Sequence, residues 1–438
     1  MPVIRGINYS EPHVKYRGER ILNLAKKLLT EPAKLPEYFD ENLAVSLYYT
    51  FFLPNPIIST PEKSDQKTVT QYMILNTILS SPKLRQIKLN TIADSTTSTV
   101  ASAVMIEHLA RTLSQRQSVN QGGETGKQSS GRETEDLDKE VQKAIEKALE
   151  NIDETARQIK EMENLSTKFT AGTASTLSFE EVISDVINLA KNTDVKILLE
   201  ALKTLEDTES YVKIKKRPSP RGELDGYEKG SDIERIAPVE LATPIDLFLI
   251  KYMERGLLLY RKIIVEEYGP FYVLLDKSGS MMGMKSVWAK AVALAIAQRA
   301  VREGREFFIR FFDSIPYPSL HIPRRVKAKD VVKLLEYLAR IRANGGTDIT
   351  RAIMAAVEDI VSISSKRKPA DIILITDGED RVSVDLIRKG LARSNANLHT
   401  VMIHGNNPDL RALSTRYFVA IKLDKEEALR VLNIEEKH

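Results

Sequence analysis

Asp276, Ser278 and Ser280 stand at alternate positions in "YVLLDKSGSMMGMK", directly behind four apolar residues. Oxygen side chains at i, i+2 and i+4 converge when the backbone turns at the end of a strand. Two further stretches offer donors of the same kind. Thr347 stands in "NGGTDI", where two glycines allow a tight loop before a helix, and Asp377 stands in "LITDGED", after the strongest strand-like run. Hydroxyls, carboxylates and water are what a hard divalent cation such as Mg²⁺ takes. Mg²⁺ keeps several waters, so a site with few charged ligands and one open position suits it. Each loop alone has a plainer reading, since Ser and Thr before a helix satisfy free N–H groups and "DG" is a common turn. The three together, each after a strand or a glycine turn, favour the cation.

These donors need elements to carry them to one place. From about residue 269, strand-like runs alternate with helical ones: "FYVLL", "EFFIRFF", "ADIILIT", "ANLHTVMI" and "YFVAIKL" are the strands. Helical runs are expected at about 285–303, at 329–341, in "ITRAIMAAVEDIVSIS", in "VDLIRKGLARS", near "PDLRAL" and in "KEEALRVLN". Short apolar strands between helices predict a mainly parallel, doubly wound α/β sheet covered on both faces. Ligands bind such sheets at the carboxyl ends of the strands, where all three donor loops would fall.

Residues 1–235 read as a mostly helical region and 236–268 as a helical connector; 269–438 form the α/β domain. "ERILNLAKKLL" and "ENLAVSLYYTFFLPNP" carry helical apolar spacing, the second stopped by Pro54 and Pro56. Residues 136–165 form the clearest helix. Val141, Ala148, Thr155 and Met162 lie on one seven-residue grid and Ile145, Ile152 and Ile159 on another, as in a bundle or coiled-coil-like hairpin. Between these helices, 118–135 is rich in Gly, Ser, Gln and Glu and reads as a flexible linker. Ser178 and Glu181 form a capping-box pattern, and "YVKIKKRPSPRGELDGYEKG" reads as a short strand at Val212 and Ile214 followed by an extended connector.

Composition excludes several classes. With 64 basic and 60 acidic residues among 438, the charge singles out neither nucleic acid nor membrane as partner. No cysteine is present, which removes disulfides, thiolate zinc sites and cysteine nucleophiles. No h-region opens the chain and no run is long and apolar enough to span a bilayer, so a cytoplasmic protein is expected. "QGGETGKQ" imitates a phosphate loop, but Gln121 and Gln128 stand where the motif needs Gly and a hydroxyl. The six histidines are scattered and no G-x-S-x-G elbow is present, so Ser278 and Ser280 lack a base. The basic run from Lys213 to Arg221 reads as a solvated connector. Asp348, Glu379 and Asp380 are helix-start charges, with orientation of metal-bound water as the alternative.

D-x-S-x-S after the first strand, T-D after a glycine pair and "TDG" after a later strand resemble the von Willebrand factor A (VWA) domain and its metal-ion-dependent adhesion site. The resemblance implies a Rossmann-like fold over about 269–434. It implies metal ligation by Asp276, Ser278, Ser280, Thr347 and Asp377, with Mg²⁺ or Mn²⁺ as the ion and an acidic residue of a protein partner completing the coordination. "KSGSM", "NGGTD", "LSFEEVISDVINLAKN" and "GSDIERIAPVELA" resemble the intracellular CoxE-like or ViaA-like branch, which implies a MoxR-type AAA+ ATPase as partner in chaperone-like assembly of protein complexes. The reading is a non-enzymatic interaction module. The alternatives are a signalling scaffold phosphorylated in the 118–135 linker and a metal-dependent hydrolase.

Overall fold

The computed structural model describes residues 4–29, 36, 38–60, 66–120, 132–169, 183–206, 216–265, 269–341, 343–363, 369–378 and 380–433. The chain divides into two compact units, one of residues 1–201 with 325–341 and one of 202–324 with 342–438.

The first unit is helical. Its described helices are α1 (Pro12–Leu28), α2 (Glu41–Phe52), α3 (Gln66–Ser80), α4 (Leu84–Thr91), α5 (Ser95–Asn120), α6 (Arg132–Phe169), α7 (Ile183–Ala190) and α8 (Thr193–Glu206), the last ending in the second unit. Helix α5 is the centre, packed by α1, α2, α4 and α6. Its run of Ala, Ser and Thr among Val100, Val104 and Leu109 lets neighbours approach closely. The buried hydroxyls return their bonds to the backbone: Ser98 Oγ donates to the Thr91 carbonyl at 2.8 Å and Ser102 Oγ to that of Ser98 at 2.7 Å. On α6, Ala148, Thr155 and Met162 and the whole second grid of Ile145, Ile152 and Ile159 are buried. Their partners are helices of the same unit, so α6 is a bundle helix. Residues 118–120 and 132–135 of the expected linker continue α5 and α6 as helix; 121–131 lie outside the described residues, as do Ser178, Glu181, Val212 and Ile214.

The second unit carries a six-stranded sheet and a two-stranded ribbon. The ribbon pairs β1 (Lys216–Gly230) with β2 (Leu257–Val265) antiparallel. Between them lie two 3₁₀ turns (Ile233–Arg235 and Pro238–Ala242) and one short helix, α9 (Ile245–Met253). The segment expected to be a helical connector therefore ends in a strand, Leu257–Val265. Likewise "RPSPRGELDGYEKG", expected to be an extended connector, lies in the first strand of the ribbon, with register shifts between Pro218 and Glu223 and between Leu224 and Tyr227. Prolines and glycines that disfavour a regular strand are accommodated at such irregularities.

The sheet comprises β3 (Phe271–Asp276), β4 (Phe307–Phe312), β5 (Leu320–Ile322), β6 (Ala370–Thr376), β7 (Ala396–Ile403) and β8 (Arg416–Ala420), in the spatial order β5-β4-β3-β6-β7-β8. All neighbours are parallel except the edge pair β4–β5. Every residue of β3 and β6 is buried, as expected of strands covered on both faces. Helix α10 (Met284–Arg302) packs on β3 and β4 and meets α15 (Lys425–Leu432). Helices α12 (Ile349–Ile363), α13 (Val384–Ser394) and α14 (Pro408–Leu413) share a core with Tyr272, Leu274, Ile372 and Leu374. This is the mainly parallel Rossmann-like sheet the alternation predicts, preceded by a mostly helical region. One helix departs from that alternation. Helix α11 (Ala328–Arg340) follows β5 in the chain but belongs to the helical unit, where it packs with α6 and α7. Strand β8 stops at Ala420, short of the expected "IKL", because the Glu427 carboxylate takes the N–H groups of Ile421, Lys422 and Leu423.

Two polar clusters, one buried and one half-buried, lock the sheet. Arg305, with a side chain 1% exposed, donates to the Gly269 carbonyl at 2.7 Å and to Asp371 Oδ2 at 2.5 Å, and its guanidinium lies 3.6 Å from the Phe271 ring centre. Asp359 of α12 accepts from the Tyr272 hydroxyl at 2.5 Å, from Arg310 at 2.7 Å and from Ser319 at 3.0 Å. Burial, and then the bond to Asp359, push the Tyr272 hydroxyl far above the usual tyrosine range.

Candidate metal centre

Strand β3 leads to β4 on one side, and the chain then returns to β6 on the other. The switch point of this sheet therefore lies at the carboxyl ends of β3 and β6, where a crevice opens in doubly wound folds. Asp276 is the last residue of β3, and Asp377 follows the last residue of β6.

Asp276 and Ser278 are buried and Ser280 is exposed, so the group has a floor and a mouth. Asp276 Oδ1 accepts from the Ser278 N–H at 2.7 Å, and Oδ2 accepts from the Thr376 hydroxyl. The first bond turns the chain out of the strand; the second ties β3 to β6. Burial pushes the Asp276 carboxyl up, the Thr376 and Ser278 bonds pull it back, and nearby Asp377 pushes it up again. The two serine hydroxyls lie 3.1 Å apart, and Ser280 donates to Asp377 Oδ1 at 2.7 Å. Asp377 Oδ2 is paired with the Lys285 ammonium at 2.6 Å, and the carboxylate side chain is only 3% exposed. Thr347 borders the same space. A Cβ on Gly378 would meet Thr347 Cγ2 at 3.0 Å, Thr376 Oγ1 at 3.2 Å and Asp276 Oδ2 at 3.6 Å, so a side chain there would push these groups apart. The structure thus brings Asp276, Ser278, Ser280 and Asp377 into one group, with the methyl side of Thr347 at its border.

The glycine pair ahead of Thr347 has a steric cause. Gly345 has φ +107°, and a Cβ there would lie 2.9 Å from Asp313 Oδ2; a Cβ on Gly346 would lie 2.8 Å from Ser314 Oγ. Backbone bonds pin this loop to the first, from Gly279 N–H to the Gly345 carbonyl at 3.0 Å and from Asn344 N–H to that of Lys277 at 2.6 Å. Beneath them, Lys277 pairs with Asp313 at 2.9 Å and lies 4.5 Å from the Tyr317 ring centre. Burial would raise the Asp313 carboxyl, but Lys277, the Ile315 N–H and Tyr317 together hold it below the usual carboxylate range.

Other nearby acids serve the backbone. Asp348 caps α12 by accepting from the Arg351 N–H at 2.9 Å, and Asp380 faces the Ile349 N–H at 3.4 Å. Glu379 lies outside the described residues. The histidines of known contact are occupied elsewhere: His399 with Asp371, His321 against Phe308, His404 at the Ile421 carbonyl and His108 at Asn151. Lys285 and Thr376 are functional neighbours that sequence reasoning missed. Thr376 was readable in principle, as the hydroxyl beside Asp377 in "TDG". Lys285 gave no signal, because its pairing joins residues 92 positions apart.

Among the described residues no three His, Cys, Asp or Glu side chains cluster as a metal site. The present group is of another kind, with two carboxylates and three hydroxyls and no nitrogen or sulfur donor. Oxygen-only donors of this sort match a hard cation that retains water. Lys285 pairs with one of the two carboxylates, so the group keeps a net negative charge that favours a cation.

Residues 271–379 match the sequence profile of the von Willebrand factor type A domain. An uncharacterized protein of Methanocaldococcus jannaschii is 26% identical over 98% of this chain and 99% of its own length. A VWFA domain-containing protein of the Acidianus two-tailed virus is 28% identical over 42% of this chain and 21% of its own. Among solved structures, a von Willebrand factor type A protein from Catenulispora acidiphila is 18% identical, with 40% of this chain and 44% of that one covered and a TM-score of 0.32. Domains of this type are interaction modules rather than catalysts, which carries the non-enzymatic assignment. Among the described residues no helix is long and apolar enough to cross a membrane. With this profile match on a sheet of that order, the chain carries a VWA domain, an interaction module, over residues 271–379.

Proposed function

We propose that Asp276, Ser278, Ser280, Thr347 and Asp377 hold one Mg²⁺ or Mn²⁺ ion and that the module grips its partner through that ion. When bound, the ion supplies a positive centre with a coordination position for a partner's Asp or Glu. The observation that carries this reading is the continuous chain Ser278–Ser280–Asp377, which joins hydroxyls of one loop to the carboxylate of another across the switch point. This chain's own residues do the rest. Thr376 and the Ser278 N–H hold Asp276 in one orientation, and Lys285 holds Asp377. Exposed Met282 and Ile315 on the neighbouring loops, with Met284 at the start of α10, offer adaptable apolar contact around a captured carboxylate.

The finer assignment belongs to the same proposal. Resemblance of "KSGSM" and "NGGTD" to the CoxE-like and ViaA-like branch supports a MoxR-type AAA+ ATPase as partner, with the helical unit as a further docking surface. The test is capture of partners from native extract with and without EDTA. The wild-type chain retains a partner only with Mg²⁺ or Mn²⁺ present, and Ser278→Ala and Ser280→Ala lose it while keeping their circular dichroism. Capture that survives both substitutions and EDTA contradicts metal bridging. Metal-dependent capture of proteins that include no AAA+ ATPase contradicts the partner assignment alone.

A further inference from the structure

Helix α9, "IDLFLIKYM", has no buried residue although seven of its nine residues are apolar. Ile245, Leu247, Leu249, Ile250, Tyr252 and Met253 are 40% to 81% exposed. A helix apolar on every side belongs inside a protein core or an interface. Nine residues are too few to span a bilayer, which takes about 20. The preceding 3₁₀ turn adds Val239 and Leu241, 63% and 72% exposed. These eight side chains present on the order of 800 Å² of surface, above the roughly 300–600 Å² of the largest patch on a typical monomer and close to the roughly 800 Å² each partner contributes to a standard interface.

The surface is built. Glu240, buried in the 3₁₀ turn, accepts from Lys251 of α9 at 2.9 Å and from the Leu258 N–H of β2 at 3.1 Å. One carboxylate thus ties the turn, the helix and the ribbon into a single piece.

We propose that this surface is the interface between two copies of the chain, with α9 packed antiparallel against α9 across a two-fold axis. Two observations select a second copy over another protein. The patch is almost free of charge, as permanent interfaces are, whereas transient partners meet on more polar surfaces. The charges at its ends, which include exposed Glu254, contain one self-complementary pair. Asp246 lies in the first turn of α9 and Arg255 just beyond the last; both are exposed, and neither is paired among the described residues. Antiparallel packing brings Asp246 of each copy towards Arg255 of the other, twice, and opposes the two helix dipoles. Ile250, near the middle of this span, falls near the axis.

The experiment is sedimentation velocity and light scattering on the full chain, with and without EDTA. The wild type runs at twice the 49.3 kDa chain mass at micromolar concentration, and EDTA leaves that mass unchanged, which separates this interface from the metal site. Ile250→Glu with Met253→Glu raises the dimer dissociation constant at least about 30-fold, the scale of a lost hot spot. Asp246→Lys weakens the dimer, and adding Arg255→Asp restores it. Because the chain has no cysteine, Ile250→Cys is a unique thiol, and a short bismaleimide links it to its counterpart. A monomeric wild type overturns the proposal, whether the patch then binds lipid vesicles, another protein or nothing. So does a dimer that the Ile250 and Met253 changes leave intact, or one that the bismaleimide fails to link.

Discussion

Lys285 gives the sharpest handle on the candidate centre. Its ammonium lies 2.6 Å from Asp377 Oδ2, on the side of the carboxylate away from the Ser280 hydroxyl bonded to Oδ1. Lys285→Met keeps most of the aliphatic stem and removes the charge. Two consequences act in the same direction. A divalent ion at Asp377 has the ammonium about one carboxylate away; even at the dielectric of water, charges of +1 and +2 at ~5 Å repel by about 1.7 kcal/mol. The ion-free state also suffers, because Asp377, with only 3% of its side chain exposed, loses its counterion. Lys285→Met therefore tightens Mg²⁺ binding at least about tenfold. Lys285→Arg, which keeps the charge, changes affinity little. Calorimetric titration with Mg²⁺ and Mn²⁺ at two salt concentrations measures this, and the difference shrinks in high salt. Binding by Lys285→Met that is equal to or weaker than that of the wild type refutes the electrostatic argument.

Three further expectations follow from the same contacts. Gly378→Ala places a methyl group 3.0 Å from Thr347 Cγ2, so ion affinity falls about tenfold or more while the urea midpoint hardly moves; unchanged affinity would remove Thr347 from the site. Arg305→Ala leaves the buried Asp371 carboxylate without its cation and costs about 3–5 kcal/mol in urea unfolding, and a loss under about 1 kcal/mol would show that His399 and Asn397 suffice. The Asp313 carboxyl titrates below its unfolded value, so its stabilisation is present above the ordinary aspartate range and is lost as pH falls through it. Asp313→Asn should consequently show a smaller drop in urea midpoint than the wild type between about pH 5 and pH 3, and parallel curves would contradict the Lys277–Asp313 account.

The centre of the sheet was legible because its strands are buried on both faces. "ADIILIT" and "ANLHTVMI" are apolar runs bounded by turn residues, and they coincide with β6 and β7. The nearness of the three loops was legible because each follows a strand or a glycine turn, and parallel topology brings such loops to one edge. The ribbon was not legible. Two prolines and two glycines interrupt β1, and its pairing to β2 relies on register shifts that no local pattern announces. The apolar run of β2 continues that of α9 with only "ERG" between them, and such a run fits helix or strand alike. Helix α11 has a clear apolar face of Val331, Leu334, Leu335 and Leu338, yet periodicity says which side is buried and not against which unit. Lys285, Arg305 and Asp359 carry tertiary pairings, and spacing along the chain holds no information about those.

Direct ion binding tests the central claim most simply. Mn²⁺ titrated into the metal-stripped full chain and followed by electron paramagnetic resonance gives the free ion at each step. The account predicts one site per chain, displaced by excess Mg²⁺ and lost in Ser278→Ala, Ser280→Ala and Asp377→Asn. Mn²⁺ that stays free in the wild type, or is held equally by all three variants, contradicts it.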